Sequence, residues 1–146
     1  MNRNEILDEL KNYFDISELV GHKTHTRYGE RAFRFFTTNI LHALLIVRKG
    51  LDLPITVNGN GMEQRGLRTN IQPIVKNKTS LYISAHILGR AFDFDVKGMT
   101  AGEVRNWIVE NSNLFPFKIR LEDGVSWVHL DTIDEPQNPN VHLFLP

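Results

Sequence analysis

The sequence predicts an α+β domain in which an antiparallel β-sheet packs against one long helix. The helix is expected over residues 28–49, where apolar residues recur at three- and four-residue steps and form one stripe. The second half of the chain instead alternates apolar and polar residues over short runs, which is typical of strands with one buried face. With 146 residues, the chain is long enough to form one domain, 1–146, with its own core.

Shorter elements are expected on either side of the long helix. Residues 4–14 have the pattern of an amphipathic helix, and residues 21–27 that of a polar loop. Gly50 is placed to end the long helix, and a buried strand is expected at 53–58. The next stretch, 59–78, is rich in Gly, Asn and Lys, which predicts a long loop of the kind that often carries function.

The C-terminal half is expected to supply most of the sheet. Strands are predicted over four ranges: 90–96, 117–122, 126–131 and 141–145. The second and third of these strands flank an Asp123-Gly124 turn signal, and the fourth would lie at an edge. Thr100 and Glu103 form a capping-box pattern, which predicts a helix that begins there and reaches about Asn111.

Composition excludes several classes of function. Seventeen basic and seventeen acidic residues cancel, so no net charge draws the chain to nucleic acid. There is no cysteine, so a transition metal would have to be held by His and carboxylate side chains. The N-terminal segment is charged rather than apolar, and the longest apolar run, 40–47, is too short to span a membrane. We therefore expect synthesis in the cytoplasm without a signal peptide.

Two segments together predict a metal site. His86 and Asp93 lie seven residues apart, with Asp93 on the polar face of a strand whose other face is apolar. His129 lies on the polar face of a later strand and supplies a third ligand. Two imidazoles and one carboxylate would leave the fourth position of Zn²⁺ free for a water, which the metal would activate.

Hydrolysis also needs a base for that water, and Glu122 is the candidate. A four-residue loop, 123–126, would place Glu122 opposite Trp127, roughly 7 Å along the strand from His129. A two-residue turn would move Glu122 about 7 Å further away. The longer loop is the arrangement that we expect.

The motif residues resemble those of the zinc D-alanyl-D-alanine carboxypeptidase and L-alanyl-D-glutamate endopeptidase family. This family includes phage endolysins and shares its fold with the Hedgehog signalling domain. Its pattern is Ser-x-His-(x)6-Asp, followed later by a Glu shortly before Trp-x-His. The corresponding residues here are Ser84, Ala85, His86, Gly89, Ala91, Asp93, Trp127, Val128 and His129.

The resemblance extends over residues 14–131, with one departure. Gly66-Leu67-Arg68 is similar to the segment that carries the substrate-binding Arg of the family. The catalytic Glu of the family commonly lies three or six residues before the third ligand, whereas Glu122 lies seven before His129. Asp123 lies six before it, but strand alternation places Asp123 in the turn or on the opposite face.

The resemblance implies a role for each site residue. His86, Asp93 and His129 would bind Zn²⁺, and Glu122 would be the catalytic base. Arg68 would stabilise the oxyanion or bind the substrate carboxylate. Two further residues would contribute to substrate binding: Ser84, which positions the substrate, and Trp127, which forms a wall of the site.

The implied function is that of a zinc metallopeptidase that hydrolyses peptide bonds in peptidoglycan stem peptides. It would act at the cell wall after phage-type release, with a holin as a candidate partner, or within a virion. The bond that is cut stays open between D-Ala-D-Ala, L-Ala-D-Glu and a cross-bridge. Two alternatives keep the zinc without turnover: an inactive component of a phage virion or tail, and a module that binds wall peptides.

Overall fold

The chain contains a mixed five-stranded sheet and five α-helices in this computed structural model, which describes residues 1–146. The helices are α1 Arg3–Leu10, α2 His22–Tyr28, α3 Thr38–Leu51, α4 Pro73–Lys76 and α5 Ala101–Glu110. The strands are β1 Ile55–Thr56, β2 Ala91–Val96, β3 Ile119–Glu122, β4 Val128–Asp131 and β5 Val141–Phe144. The α+β class expected from the sequence therefore agrees with the structure.

The sheet has the order β1-β2-β4-β3-β5 and is antiparallel except at one edge. The prediction of an antiparallel sheet is wrong for β5, which runs parallel to β3. The connection 132–140 carries the chain back to the start of β3, where the Ile119 N–H donates to the Asn140 carbonyl at 2.9 Å. Lys118 holds this connection through the carbonyls of Glu135 and Pro136. The final strand therefore enters the sheet in the direction of β3.

The long helix expected over 28–49 is interrupted. Residues 29–35 form 3₁₀ turns, Thr37 has an extended backbone, and only α3 continues as an α-helix. The guanidinium of Arg3 donates to the carbonyls of Phe33 and Phe36 at 2.9 and 3.0 Å, which satisfies groups that a continuous helix would have paired internally. Because these contacts come from distant segments, the apolar periodicity of residues 28–49 does not predict that the helix is interrupted.

The segment 21–27 is mostly helical, which corrects the prediction of a polar loop. The first backbone N–H of α2, that of His22, donates to the carboxylate of Glu63 at 3.1 Å. Glu63 lies 41 residues further along the chain, so the cap of this short helix comes from tertiary structure.

Among the other predicted elements, β2, β5 and α5 are confirmed, and the strand before the long loop is shorter than predicted. Strand β2 covers nearly the whole predicted range, and β5 is the expected edge strand. Thr100 caps α5 by accepting the backbone N–H of Glu103 at 3.1 Å. The strand expected at 53–58 shortens to β1, and the loop 59–78 contains only the short helix α4.

The core lies between the helices and one face of the sheet. Phe92 and Phe94 of β2 are about 1% exposed, and Phe36 stacks on Phe92 with ring centroids 5.1 Å apart. The buried residues of α3 that complete this layer are Ile40, Leu41, Ala43, Leu44, Leu45 and Val47. Asp93, between the two phenylalanines in sequence, projects from the opposite face of β2. None of the helices has the length and apolar character that crossing a membrane requires.

Gly89 is the close contact between the helical half and the segment before β2. Its φ is +65°, and a Cβ there would lie 1.9 Å from the carbonyl oxygen of Phe35. Its own carbonyl accepts the N–H of Thr37 at 3.0 Å. This contact fixes where α3 begins relative to β2.

We predict that Gly89→Ala lowers the free energy of unfolding by about 2–5 kcal/mol, because a left-handed backbone and a steric clash both oppose the methyl group. Gly98→Ala is the matched control, since Gly98 has φ +80° but open space around its Cβ position. It should cost only about 1–2 kcal/mol. Chemical denaturation of the two variants measures the difference, and equal losses would contradict the importance of the Phe35 contact.

Candidate metal centre

Strand pairing brings two of the predicted ligands face to face. Asp93 of β2 and His129 of β4 are directly paired in the antiparallel register. The third, His86, lies in the turn that precedes β2, where the N–H of Gly89 donates to the His86 carbonyl at 3.3 Å. The carbonyl of His86 also accepts the N–H of Arg68 at 3.2 Å, so this turn is tied to the loop 59–78.

The three side chains form one buried cluster. Their relative exposures are 3% for His86 and 8% each for Asp93 and His129. Oδ1 of Asp93 lies 2.7 Å from Nδ1 of His129 and 3.2 Å from Nε2 of His86. One ligand atom from each residue lies within 4.8 Å of the others, so this group could hold a metal ion.

The environment of His86 fits a metal ligand. Its Nδ1 lies 2.9 Å from the carbonyl oxygen of Gly66, which can only accept, so Nδ1 carries the proton. Nε2 then presents a lone pair, and this buried atom has no hydrogen-bond partner. The carboxylate oxygen Oδ1 of Asp93, which is also electron-rich, lies 3.2 Å from this atom. A cation between these two atoms would remove an unfavourable contact, and a carbonyl behind the imidazole is a common arrangement in metal sites.

His129 is enclosed by two carboxylates. Nδ1 contacts Asp93, and Nε2 contacts Oδ2 of Asp131 at 2.8 Å. Burial lowers the pKa of His129, but hydrogen bonds to Asp131 and Asp93 outweigh this effect and raise the pKa to about 9. Burial likewise raises the pKa of Asp93, yet its hydrogen bonds, chiefly that with His129, bring the pKa well below its usual range. A cation that binds Nδ1 must displace a proton from this imidazole.

Asp131 is fully buried and is held by Arg120. Two hydrogen bonds of 2.9 Å join the guanidinium to both carboxylate oxygens. Neither Asp131 nor Arg120 is among the site residues that the sequence predicts. The available signal was their alternation with His129 and Glu122 on the polar faces of β4 and β3.

Glu122 lies closer to His129 than the expected hairpin placed it. The ladder pairs Arg120 with Asp131 and Leu121 with Leu130, and continuing this register places Glu122 opposite His129. The four-residue loop that put Glu122 opposite Trp127 is therefore wrong by two residues. The pairing of β4 with β2 also constrains the register between β3 and β4. The sequence of the hairpin alone does not predict this constraint.

The other predicted site residues line the same cleft. It has a volume of about 420 Å³ and is lined by the three cluster residues together with Arg68, Ser84, Glu122 and Trp127. Arg68 lies 3.5 Å from Oδ2 of Asp93 and donates to Gln64 and Tyr82 at 2.9 and 2.8 Å. Ser84 accepts the N–H of Ile87 at 3.3 Å, and Trp127 is 38% exposed.

A second cleft, of about 480 Å³, adjoins the first and shares Arg68, Asp93 and Trp127 with it. Arg65 lines the second cleft and not the first. It is buried and forms an ion pair with Asp95 at 2.8 Å. Arg65 therefore pairs with a residue outside the cluster, whereas Arg68 lies beside the cluster residue Asp93.

Comparisons of the chain with protein-family models, with curated proteins and with solved structures returned no match. The fold and the site by themselves define an α+β protein with a candidate metal centre of two imidazoles and one carboxylate. Several divalent first-row metals accept such ligands, so the ligand set does not select one of them.

We predict that Zn²⁺ stabilises the protein through this centre. At about 100 times the Kd, the gain is about 2.7 kcal/mol, or roughly 5–10 °C in Tm for a chain of this size. His86→Ala and His129→Ala should each abolish the shift. His42→Ala should keep the stabilisation by Zn²⁺. His42 lies on α3 and packs against Phe117, away from the cluster. A thermal melt with and without Zn²⁺ measures each case, and a full shift in His86→Ala would argue against the site.

Proposed function

We propose that this chain is a zinc metallopeptidase that hydrolyses amide bonds in peptidoglycan stem peptides. The observation that carries the proposal is the unpartnered, buried Nε2 of His86 facing Asp93 within a His-Asp-His cluster. The motif Ser84-Ala85-His86, Asp93 and Trp127-Val128-His129 supports the family assignment. It also supports a Hedgehog-type arrangement of the α+β fold.

The cluster residues would hold the metal. His86, through Nε2, and His129, through Nδ1, would supply neutral ligands, and Asp93 would supply one negative charge. When bound, zinc supplies Lewis acidity, which polarises a carbonyl and lowers the pKa of a water molecule. The Gly66 carbonyl fixes the tautomer of His86, so its free nitrogen needs no reorganisation before binding.

Glu122 would be the general base. Its place beside His129 in the β3–β4 register and in the wall of the same cleft supports this role. The carboxylate would take a proton from the attacking water and pass it to the leaving amine, so that one side chain serves both proton transfers. The seven-residue spacing to His129 is compatible with this role, because the register rather than the spacing decides proximity.

Arg68 would neutralise the negative charge that develops on the carbonyl oxygen. Its side chain is only 13% exposed and is held by the Gln64 carbonyl and the Tyr82 hydroxyl. A guanidinium fixed in this way before the substrate arrives stabilises charge without further ordering. Ser84 and Trp127, on the wall of the cleft, would contact the peptide.

The base is tested with Glu122→Gln. We expect this variant to bind Zn²⁺ as the wild type does and to lose wall hydrolysis by about 10²–10⁴-fold, the usual contribution of general acid–base catalysis. Release of new amino groups from purified cell walls measures the rate, with chelator-treated protein as the metal-free reference. Glu110→Gln, an exposed change on α5, is the matched control and should retain activity.

Each outcome of this assay separates the enzyme from its alternatives. Full activity in Glu122→Gln would overturn the assigned base. Zinc binding by a wild type that leaves walls and stem peptides intact would overturn the peptidase, and would favour the inactive virion component or the peptide-binding module. Cosedimentation with walls then distinguishes these two.

Arg68→Ala is predicted to lower kcat/KM by about 10²–10³-fold, the usual loss for one donor that stabilises an oxyanion. Kinetics on a soluble stem peptide give the value, and Arg31→Ala, an exposed change, is the control. An unchanged kcat/KM in Arg68→Ala would remove this residue from the proposed machinery.

A further inference from the structure

Behind His129, on the side away from His86, lies a clamp formed by Asp131, Arg120 and Phe144. Asp131 contacts Nε2 of His129 at 2.8 Å, and Arg120 grips Asp131 through two bonds of 2.9 Å. The Arg120 guanidinium lies over the Phe144 ring at 4.5 Å from its centre. Phe144 in turn meets the imidazole of His129 edge-on, with ring centroids 5.8 Å apart. Three adjacent strands therefore contribute to the clamp.

The clamp is closed and fully bonded. Asp131 is 0% exposed, and its Oδ2 accepts hydrogen bonds from both His129 and Arg120. Its Oδ1 accepts the second guanidinium bond and the N–H of Ile133 at 3.1 Å. A buried carboxylate held by four donors has little freedom, because any rotation would leave a charged group unpaired. Asp131 is therefore a rigid support for the ring that it touches.

This support selects which nitrogen of His129 faces the cluster. An imidazole has two ring nitrogens, and a metal takes one of them. Nε2 is occupied by Asp131, so the remaining nitrogen, Nδ1, lies 2.7 Å from Asp93. The pairing of Arg120 with Asp131 across β3 and β4 sets the clamp in register with the cluster.

We propose that Asp131 is the positioning residue of the metal centre and that Arg120 holds it. Asp131 keeps the proton of His129 on Nε2 and directs the lone pair of Nδ1 toward the ion. Arg120 fixes the carboxylate, and Phe144 of the C-terminal strand closes the clamp. This proposal rests on the metal-binding half of the proposed function and is independent of hydrolysis.

Titration with Co²⁺ tests the clamp in the full chain without any activity assay. We expect Asp131→Asn to bind Co²⁺ about 10–100-fold more weakly than the wild type, the usual loss when the group behind a ligating imidazole is changed. Its visible Co²⁺ absorption at saturation should also shift, because the orientation and basicity of His129 change. Arg120→Lys keeps the charge but loses the bidentate hydrogen bonding to Asp131, and it should also weaken Co²⁺ binding.

Asp95→Asn is the matched control, because Asp95 also pairs with an arginine, Arg65, but touches none of the three cluster residues. Its Co²⁺ affinity should stay within about twofold and its spectrum should be unchanged, since it lies outside the clamp. Circular dichroism establishes that each variant is folded. If Asp131→Asn does not fold, Arg120→Lys carries the test by the same two measurements.

Wild-type affinity in the folded clamp variants would overturn the positioning role. So would a weakening equal to that of Asp95→Asn, or a weakening without a spectral change at saturation, which indicates lost stability alone. No Co²⁺ or Zn²⁺ binding by the wild type would overturn the metal centre and this inference with it. Metal binding that depends on Asp131, in a protein that cleaves no peptide, would support the inference while overturning the peptidase.

Discussion

The pairing of Asp93 with His129 across β2 and β4 is the constraint on which the rest of the site depends. Side chains alternate along a strand, so a slip of one residue in this register would turn one of the two toward the core. The apolar face prevents the slip, because Phe92 and Phe94 must stay buried under α3. Packing on one face of the sheet therefore holds the polar cluster on the other.

Buried charge explains why the cluster needs so many partners. Asp93 and Asp131 lie on either side of His129, and both hold a pKa below the usual range although burial opposes this, because hydrogen bonds with His129 favour their charged forms. Arg120 balances part of this charge on the outer side. On the inner side, His86 presents an unpartnered nitrogen rather than a proton. The arrangement is thus complete on the outer side, and the place between His86, Asp93 and His129 suits a cation.

Close backbone contacts connect the helical half to this site. Gly89 brings the turn that carries His86 against the backbone of Phe35, where the predicted long helix is interrupted. Arg3 reaches the same place from the N-terminus and donates to the carbonyls of Phe33 and Phe36. The break that periodicity did not predict is therefore where the chain couples its helices to the site, and this requires atoms from three separated segments.

Local patterns in the sequence determined the faces of the strands, the cap of α5 and the grouping of His86, Asp93 and His129 as candidate ligands. Each depends on alternation, on capping chemistry or on a motif within a short stretch. Tertiary structure decided the hairpin register that places Glu122 beside His129, the interruption before α3, the parallel entry of β5 and the clamp of Arg120 on Asp131. These depend on which distant backbone and charged groups meet. The local sequence around a residue does not predict these long-range contacts, because their free energies arise only when the chain is folded.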